Sequence, residues 1–198
     1  MPSPAAAFYF DLASPLAYLA AERILHLLPA PAEWRPVLEG DLGGESSRPG
    51  REELTEMLSV RAIELGLQPL RLPERFPFDS TLAMRAATYA KSIGRTVPFA
   101  QAAFRQAFAG GHSLEDEDYV LIAGAACEMH PAALLKGAGM RSVRERLALT
   151  GREAADAGVE MVPAITVGPV VFQGQDAPER ARAHMLAVRQ PGGSPGPR

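Results

Sequence analysis

The chain has 198 residues, 47% hydrophobic and 22% charged, with a net charge of −3 at pH 7. That length and apolar share suit a packed core, as one compact domain or two small ones, and 18 Gly with 18 Pro stay below the roughly 25–30% that marks low-complexity chains. A single cysteine excludes an intramolecular disulfide framework, a Cys-rich metal site and a CxxC redox pair, and the lack of a basic stripe argues against nucleic acid as a partner.

The first apolar run, Ala6 to Phe10, is short and aromatic-rich and ends at the breaker Asp11, so it reads as a buried strand. Ser14 is a favoured N-cap and Pro15 suits the first helical position. Leu16, Leu19, Ala20, Ile24, Leu27 and Leu28 then form an apolar stripe, which predicts one core-facing helix over residues 14–28, stopped by Pro29 and Pro31. Residues 34–38 read as a second strand, parallel to the first across a helical crossover.

The middle of the chain is helical in pattern. Residues 43–50 read as a polar linker, and helices are expected over 52–65, 80–93, 98–108, 115–129, 131–137 and 142–157. Gly66 stops the first of these and Gly158 caps the last, while residues 69–77 form an irregular segment containing proline. Strand signal returns at 164–167 and 170–172, a hairpin reading around Gly168-Pro169, although Gly-Pro is not a favoured hairpin turn. Asp176 then caps a final helix over about 177–189, and residues 190–198 are Pro/Gly-rich. The expected class is α/β: βαβ, a long all-α insertion, then ββα.

The longest stretch without an acidic or basic side chain is residues 161–175, too short and too rich in Pro and Gly for the ~20 apolar residues of a membrane span. No Lys or Arg precedes the first apolar run, so no export signal is read; the expected location is cytoplasmic, with no membrane partner.

Two places carry candidate chemistry. Ser14 sits where a helix N-terminus offers free N–H groups and the positive end of the macrodipole, a setting that stabilises a thiolate or carboxylate; the plainer reading is that Ser14 only caps its helix. Pro163 follows an apolar residue just before a strand, where a cis bond would present the backbone of Val162 to a ligand; only about 5–6% of X–Pro bonds are cis, so the local sequence by itself argues for trans. Other candidates fare worse. Cys127 lies in an apolar helix and reads as a buried, inert thiol. His26, His112, His130 and His184 show no metal-ligand spacing; His112, in a loop, is the one to test. The acidic run Glu115 to Asp118 reads as the start of a helix. Tyr18 packs in the core, and Phe76, Phe78 and Phe104 either line an apolar pocket or belong to the core.

Four segments, in order along the chain, carry a family resemblance: Phe8-Tyr9-Phe10-Asp11-Leu12-Ala13-Ser14-Pro15-Leu16-Ala17-Tyr18-Leu19-Ala20, Phe76-Pro77-Phe78-Asp79, Gly158-Val159-Glu160-Met161-Val162-Pro163-Ala164, and Val171-Phe172-Gln173-Gly174-Gln175-Asp176. Together they resemble the 2-hydroxychromene-2-carboxylate isomerase and kappa-class glutathione transferase group, in the DsbA-like branch of the thioredoxin superfamily. The resemblance implies a discontinuous thioredoxin-like domain (residues 1–44 and 158–190), a helical insertion domain (45–157) and a flexible tail (191–198).

The CxxC position of thioredoxin-like proteins corresponds here to Ser14, Pro15, Leu16 and Ala17, so dithiol–disulfide exchange there is chemically impossible. A serine there is similar to the glutathione-using subgroup. The resemblance thus implies glutathione as cofactor, with Ser14 donating a hydrogen bond to its thiolate. It also implies a cis Pro163, with Val162 pairing its backbone to the cysteinyl unit, and Gln175 and Asp176 holding the γ-glutamyl end. The implied activity is that of an isomerase or transferase acting on an aromatic or conjugated small molecule, in a chain that is a homodimer. The alternatives are a DsbA-family protein of oxidoreductase type and a non-catalytic peptide-binding module without CxxC.

The chain departs from the group at Asp79, where many relatives have Asn, and at Gln173 and Ala177, where many have Trp and Arg. A lysine and a tyrosine common in the first inserted helix have no clear counterpart in residues 52–65; Arg48, Arg51 and Arg61 are the candidate replacements for the lost cation.

Overall fold

The computed structural model describes residues 5–44 and 49–189. The expected tail, 191–198, and Arg48 lie outside the described residues. The sheet has four strands in the order β2-β1-β3-β4. Strand β1 (Ala6–Phe10) runs parallel to β2 (Ala32–Pro36) and antiparallel to β3 (Ala164–Val167), which pairs antiparallel with β4 (Val170–Gln173).

Because side chains alternate along a strand, β1 serves two cores. Phe8 and Phe10 point to the larger one, where both meet the Trp34 ring edge-on at centroid distances of 4.9 and 5.7 Å. Ala7 and Tyr9 point to the smaller one, with Val37, Val159, Val162 and Ala164. Both faces of β1 are therefore dry, which explains its unbroken apolar run.

The expected helix over 14–28 is two helices, α1 (Pro15–Ala21) and α2 (Ile24–Leu27). At the break the Arg23 N–H turns back to the Ala20 carbonyl at 3.1 Å. Glu22 is held by Arg105 through two hydrogen bonds of 2.9 and 3.0 Å, while Arg23 is held by Glu179 at 2.7 Å. These partners are remote in sequence, so the apolar stripe runs through the break without marking it.

Between β2 and β3 the chain forms α3 (Arg51–Glu64), α4 (Thr81–Ser92), α5 (Thr96–Phe108), α6 (Glu117–Ala125), α7 (Pro131–Gly139) and α8 (Arg141–Asp156). Helix α6 is shorter than the expected 115–129. It closes when the Met129 N–H reaches back to the Gly124 carbonyl at 3.0 Å, with Glu128 at φ 59°. This is the usual αL helix ending with a glutamate in place of glycine, so the stop signal is invisible in the sequence. The end of α8 is conventional: Gly158, at φ 87°, lets the Val159 N–H return to the Ala154 carbonyl at 2.9 Å.

The Gly168-Pro169 turn does join β3 and β4, with Val167 opposite Val170 and Gly168 at φ 59°. A positive φ at the first central residue is the requirement of a II′ hairpin turn, which glycine meets. Helix α9 (Ala177–Arg189) packs Ala177, Ala181 and Met185 into the larger core. Among the described residues no helix is long and apolar enough to cross a membrane.

Candidate functional site

Where β1 ends, Asp11 organises the turn. Its carboxylate accepts from the Ala13 N–H at 2.9 Å and from the Glu39 N–H at 2.9 Å. One side chain thus ties the loop before α1 to the short 3-10 turn at Glu39–Asp41. Asp11 is 5% exposed, which fits a structural carboxylate satisfied by backbone donors. In the sequence it stands out only as a breaker.

Ser14 follows as the N-cap of α1, with extended backbone (φ −95°, ψ 111°). Its Oγ accepts from the Ala17 N–H at 3.2 Å. A hydroxyl has one proton and two lone pairs, so capping leaves the proton available. Among the described residues nothing accepts it. Ser14 also lines a cavity of about 280 Å³ with Leu16, Glu39, Leu54, Phe76 and Val162. Capping and facing the cavity therefore coexist.

Val162 lines the same cavity. The Val162–Pro163 bond is cis, as is Phe76–Pro77. The Pro163 carbonyl accepts from the Gly174 N–H at 3.0 Å, which ties this loop to the turn before α9. The Val162 N–H points to Glu39, whose Oε1 lies 3.4 Å away. Nearby, Gly44 passes so close to the Glu160 carbonyl that a side chain there would collide with it. Glu160 is held further by its N–H, which donates to Gln173 Oε1 at 2.9 Å.

Asp176 and Gln175 are exposed at the start of α9 and do not line the cavity. The Asp176 carboxylate already has a partner: Arg61 Nη2 at 2.6 Å. Arg61 sits one turn beyond Met57, which does line the cavity, so the cavity and the Arg61–Asp176 pair share one face of α3. Of the candidate replacement cations, Arg51 is spent elsewhere, donating to the carbonyls of Leu72, Pro73 and Glu74 at 3.2, 2.9 and 3.3 Å.

The remaining sequence candidates have structural partners. Asp79 stands one residue before Ser80, the N-cap of α4, and accepts from the Thr81 hydroxyl at 2.5 Å and the Thr81 N–H at 2.8 Å; these bonds hold its carboxyl below the ordinary aspartate range. Tyr18 packs between Phe104 and Phe108, and burial raises its phenol pKa. Phe76 reaches the cavity, whereas Phe78 and Phe104 belong to the core. Cys127 is buried, its Sγ 3.2 Å from the Ala123 carbonyl, and burial pushes its thiol up. His112 stacks on Tyr119 at 4.0 Å, and His130 Nδ1 caps α7 by accepting from the Ala132 N–H at 3.2 Å. Among the described residues no cluster of His, Cys, Asp and Glu suits a metal ion. Glu39 is the cavity residue that sequence reasoning missed. It follows Val37-Leu38 and precedes a glycine, and no local signal points its side chain toward residue 162.

The sequence profile of the DSBA-like thioredoxin domain matches residues 6–186. Among solved structures the chain is similar to a 2-hydroxychromene-2-carboxylate isomerase (19% identity, TM-score 0.83, covering 93% of this chain and 95% of that one). It is also similar to a probable DsbA oxidoreductase from Streptomyces coelicolor (18%, 0.77, 96% and 93%). A third is the cytosolic disulfide reductase DsbM from Pseudomonas aeruginosa with GSH (16%, 0.64, 94% and 100%). At these identities the likeness is one of fold. No curated protein sequence matches the chain.

Proposed function

The chain belongs to the DSBA-like thioredoxin domain family, and from that premise we propose that it is a glutathione-dependent isomerase or transferase acting on an aromatic or conjugated small molecule. The observation that carries the reading is Ser14. It stands at the head of α1 in the turn where dithiol relatives carry sulfur, it lines the cavity, and its proton is not consumed by capping. The Pseudomonas aeruginosa neighbour, solved with GSH, supports the choice of thiol.

The residues fit the tripeptide in part. Val162 offers a backbone edge beside Ser14, and Asp176 offers a carboxylate for an ammonium, in competition with Arg61. When bound, glutathione would supply a thiolate able to add reversibly to an electron-poor carbon of the acceptor. The chain's own share is electrostatic. The Ser14 hydroxyl would donate to the sulfur and favour the anion; within the first turn of α1 the Ala17 N–H is already taken by Ser14 Oγ and the Tyr18 N–H by the Ser14 carbonyl. Leu16, Leu54 and Phe76 give the cavity the apolar wall that an aromatic acceptor needs.

Calorimetric titration of reduced glutathione into the parent chain, Ser14→Ala and Asp176→Ala tests the reading. Millimolar or tighter binding that either variant weakens supports it. Absence of binding in the parent removes the cofactor, and with it the enzyme.

A further inference from the structure

Glu39 reaches the Val162 N–H from a different element. Its backbone is anchored first: the Glu39 N–H donates to the buried carboxylate of Asp11, which also sets the turn before Ser14. The start of the 3-10 turn is therefore held in place, and the Glu39 side chain extends from that fixed point along the cavity wall. At 3.4 Å its contact with Val162 is long for an N–H to carboxylate bond, where 2.7–2.9 Å is typical of strong pairs.

We propose that Glu39 is a built-in competitor for the backbone slot at Val162. Its carboxylate occupies the N–H that an extended, amide-bearing ligand needs, and a ligand carbonyl must displace it to dock. The inference rests on the reading of the cavity as a thiol-tripeptide site, and it adds a residue that governs that ligand's affinity. The reason is chemical. A β-type pairing with Val162 needs an acceptor opposite its N–H, and two acceptors cannot share the position at full strength.

The test uses the full chain, Glu39→Gln and Glu39→Ala, each titrated calorimetrically with reduced glutathione, with the Val162 amide followed by NMR before and after addition. Glu39→Ala is expected to bind about three- to tenfold more tightly than the parent, the range that one net hydrogen bond supplies, with Glu39→Gln between them. In the ligand-free chains the Val162 amide resonance is expected to move on Glu39→Ala; on addition of glutathione, parent and variant should converge. Equal or weaker binding by Glu39→Ala, or a Val162 amide blind to the substitution, overturns the inference and leaves the tripeptide reading standing. Binding absent from all three chains removes the tripeptide reading and this inference together.

Discussion

The guanidinium of Arg61 lies 2.6 Å from the carboxylate of Asp176, and this pair joins the helical layer to the first turn of α9. It is part of a chain of charges. Arg61 also reaches Glu64 at 3.1 Å and Glu179 at 3.7 Å, and Glu179 holds Arg23 at 2.7 Å. The arrangement ties α1's end, α3 and α9 around one edge of the candidate site. It also means that a ligand ammonium bound for Asp176 meets a carboxylate already in partnership.

Removing the cation tests how much that chain contributes. The Arg61 side chain is 18% exposed, while Asp176 is 54% exposed. Glu179 Oε2 is buried without a hydrogen-bond partner among the described residues, so it depends on the charges around it. Arg61→Met is expected to destabilise the fold by about 1–3 kcal/mol, because it removes from Glu64, Asp176 and Glu179 a shared, mostly buried cation. Asp176→Asn should cost under about 1 kcal/mol, as for an exposed pair. Urea denaturation with unchanged slope measures both; equal losses would contradict the argument.

Ser14 is assigned two tasks, and substitutions separate them. Ser14→Ala removes the cap and should cost about 1 kcal/mol of stability. Ser14→Asp keeps a capping acceptor, so stability should return to near the parent's. The same carboxylate has no proton to donate at neutral pH and repels an anion beside it. Glutathione thiolate, read by its ultraviolet absorbance across a pH series, should therefore form at higher pH with Ser14→Asp than with the parent. A thiolate titration that follows stability rather than the donor would assign Ser14 to capping alone.

Asp79 predicts an acid-side effect. Hydrogen bonds from Thr81 hold its pKa below the ordinary value, the side-chain bond first and the backbone bond second. A carboxyl with a lowered folded pKa binds its proton more weakly in the folded state. Its stabilisation is complete above the unfolded pKa, about 3.9, and is lost as pH falls through the folded value. Asp79→Ala should be less stable than the parent at pH 7, and the gap should narrow only below about pH 4. Denaturation midpoints at a series of pH values check the sign; a gap that widens in acid contradicts it.

Cys127 should be silent. Its thiol is buried and pushed above the ordinary thiol range by that burial, so the reactive thiolate is scarce at neutral pH. A colorimetric thiol reagent should label the native chain far more slowly than the urea-unfolded chain, which should react once per molecule. Rapid native labelling would restore a sulfur-based role to the protein.

What could be read from residues alone was what local chemistry encodes. Ser14-Pro15 announced a helix start, Gly158 a helix end, and the short aromatic-rich run of β1 a buried strand. The lack of sulfur at Ser14 to Ala17 excluded dithiol exchange without reference to the fold. Where a stop was written unconventionally, as with Glu128 in place of glycine, or where ion pairs to distant helices broke a continuous stripe, as at Glu22 and Arg23, the reading overran. Capping, periodicity and turn preference act within one or two turns of chain. The meeting of Glu39 with Val162 spans 123 positions and that of Arg61 with Asp176 spans 115, and both depend on which strands pair and which helix faces pack. The sequence thus determined the head of α1 and its oxygen, while only the packing of the sheet against the helical layer decided what surrounds that oxygen.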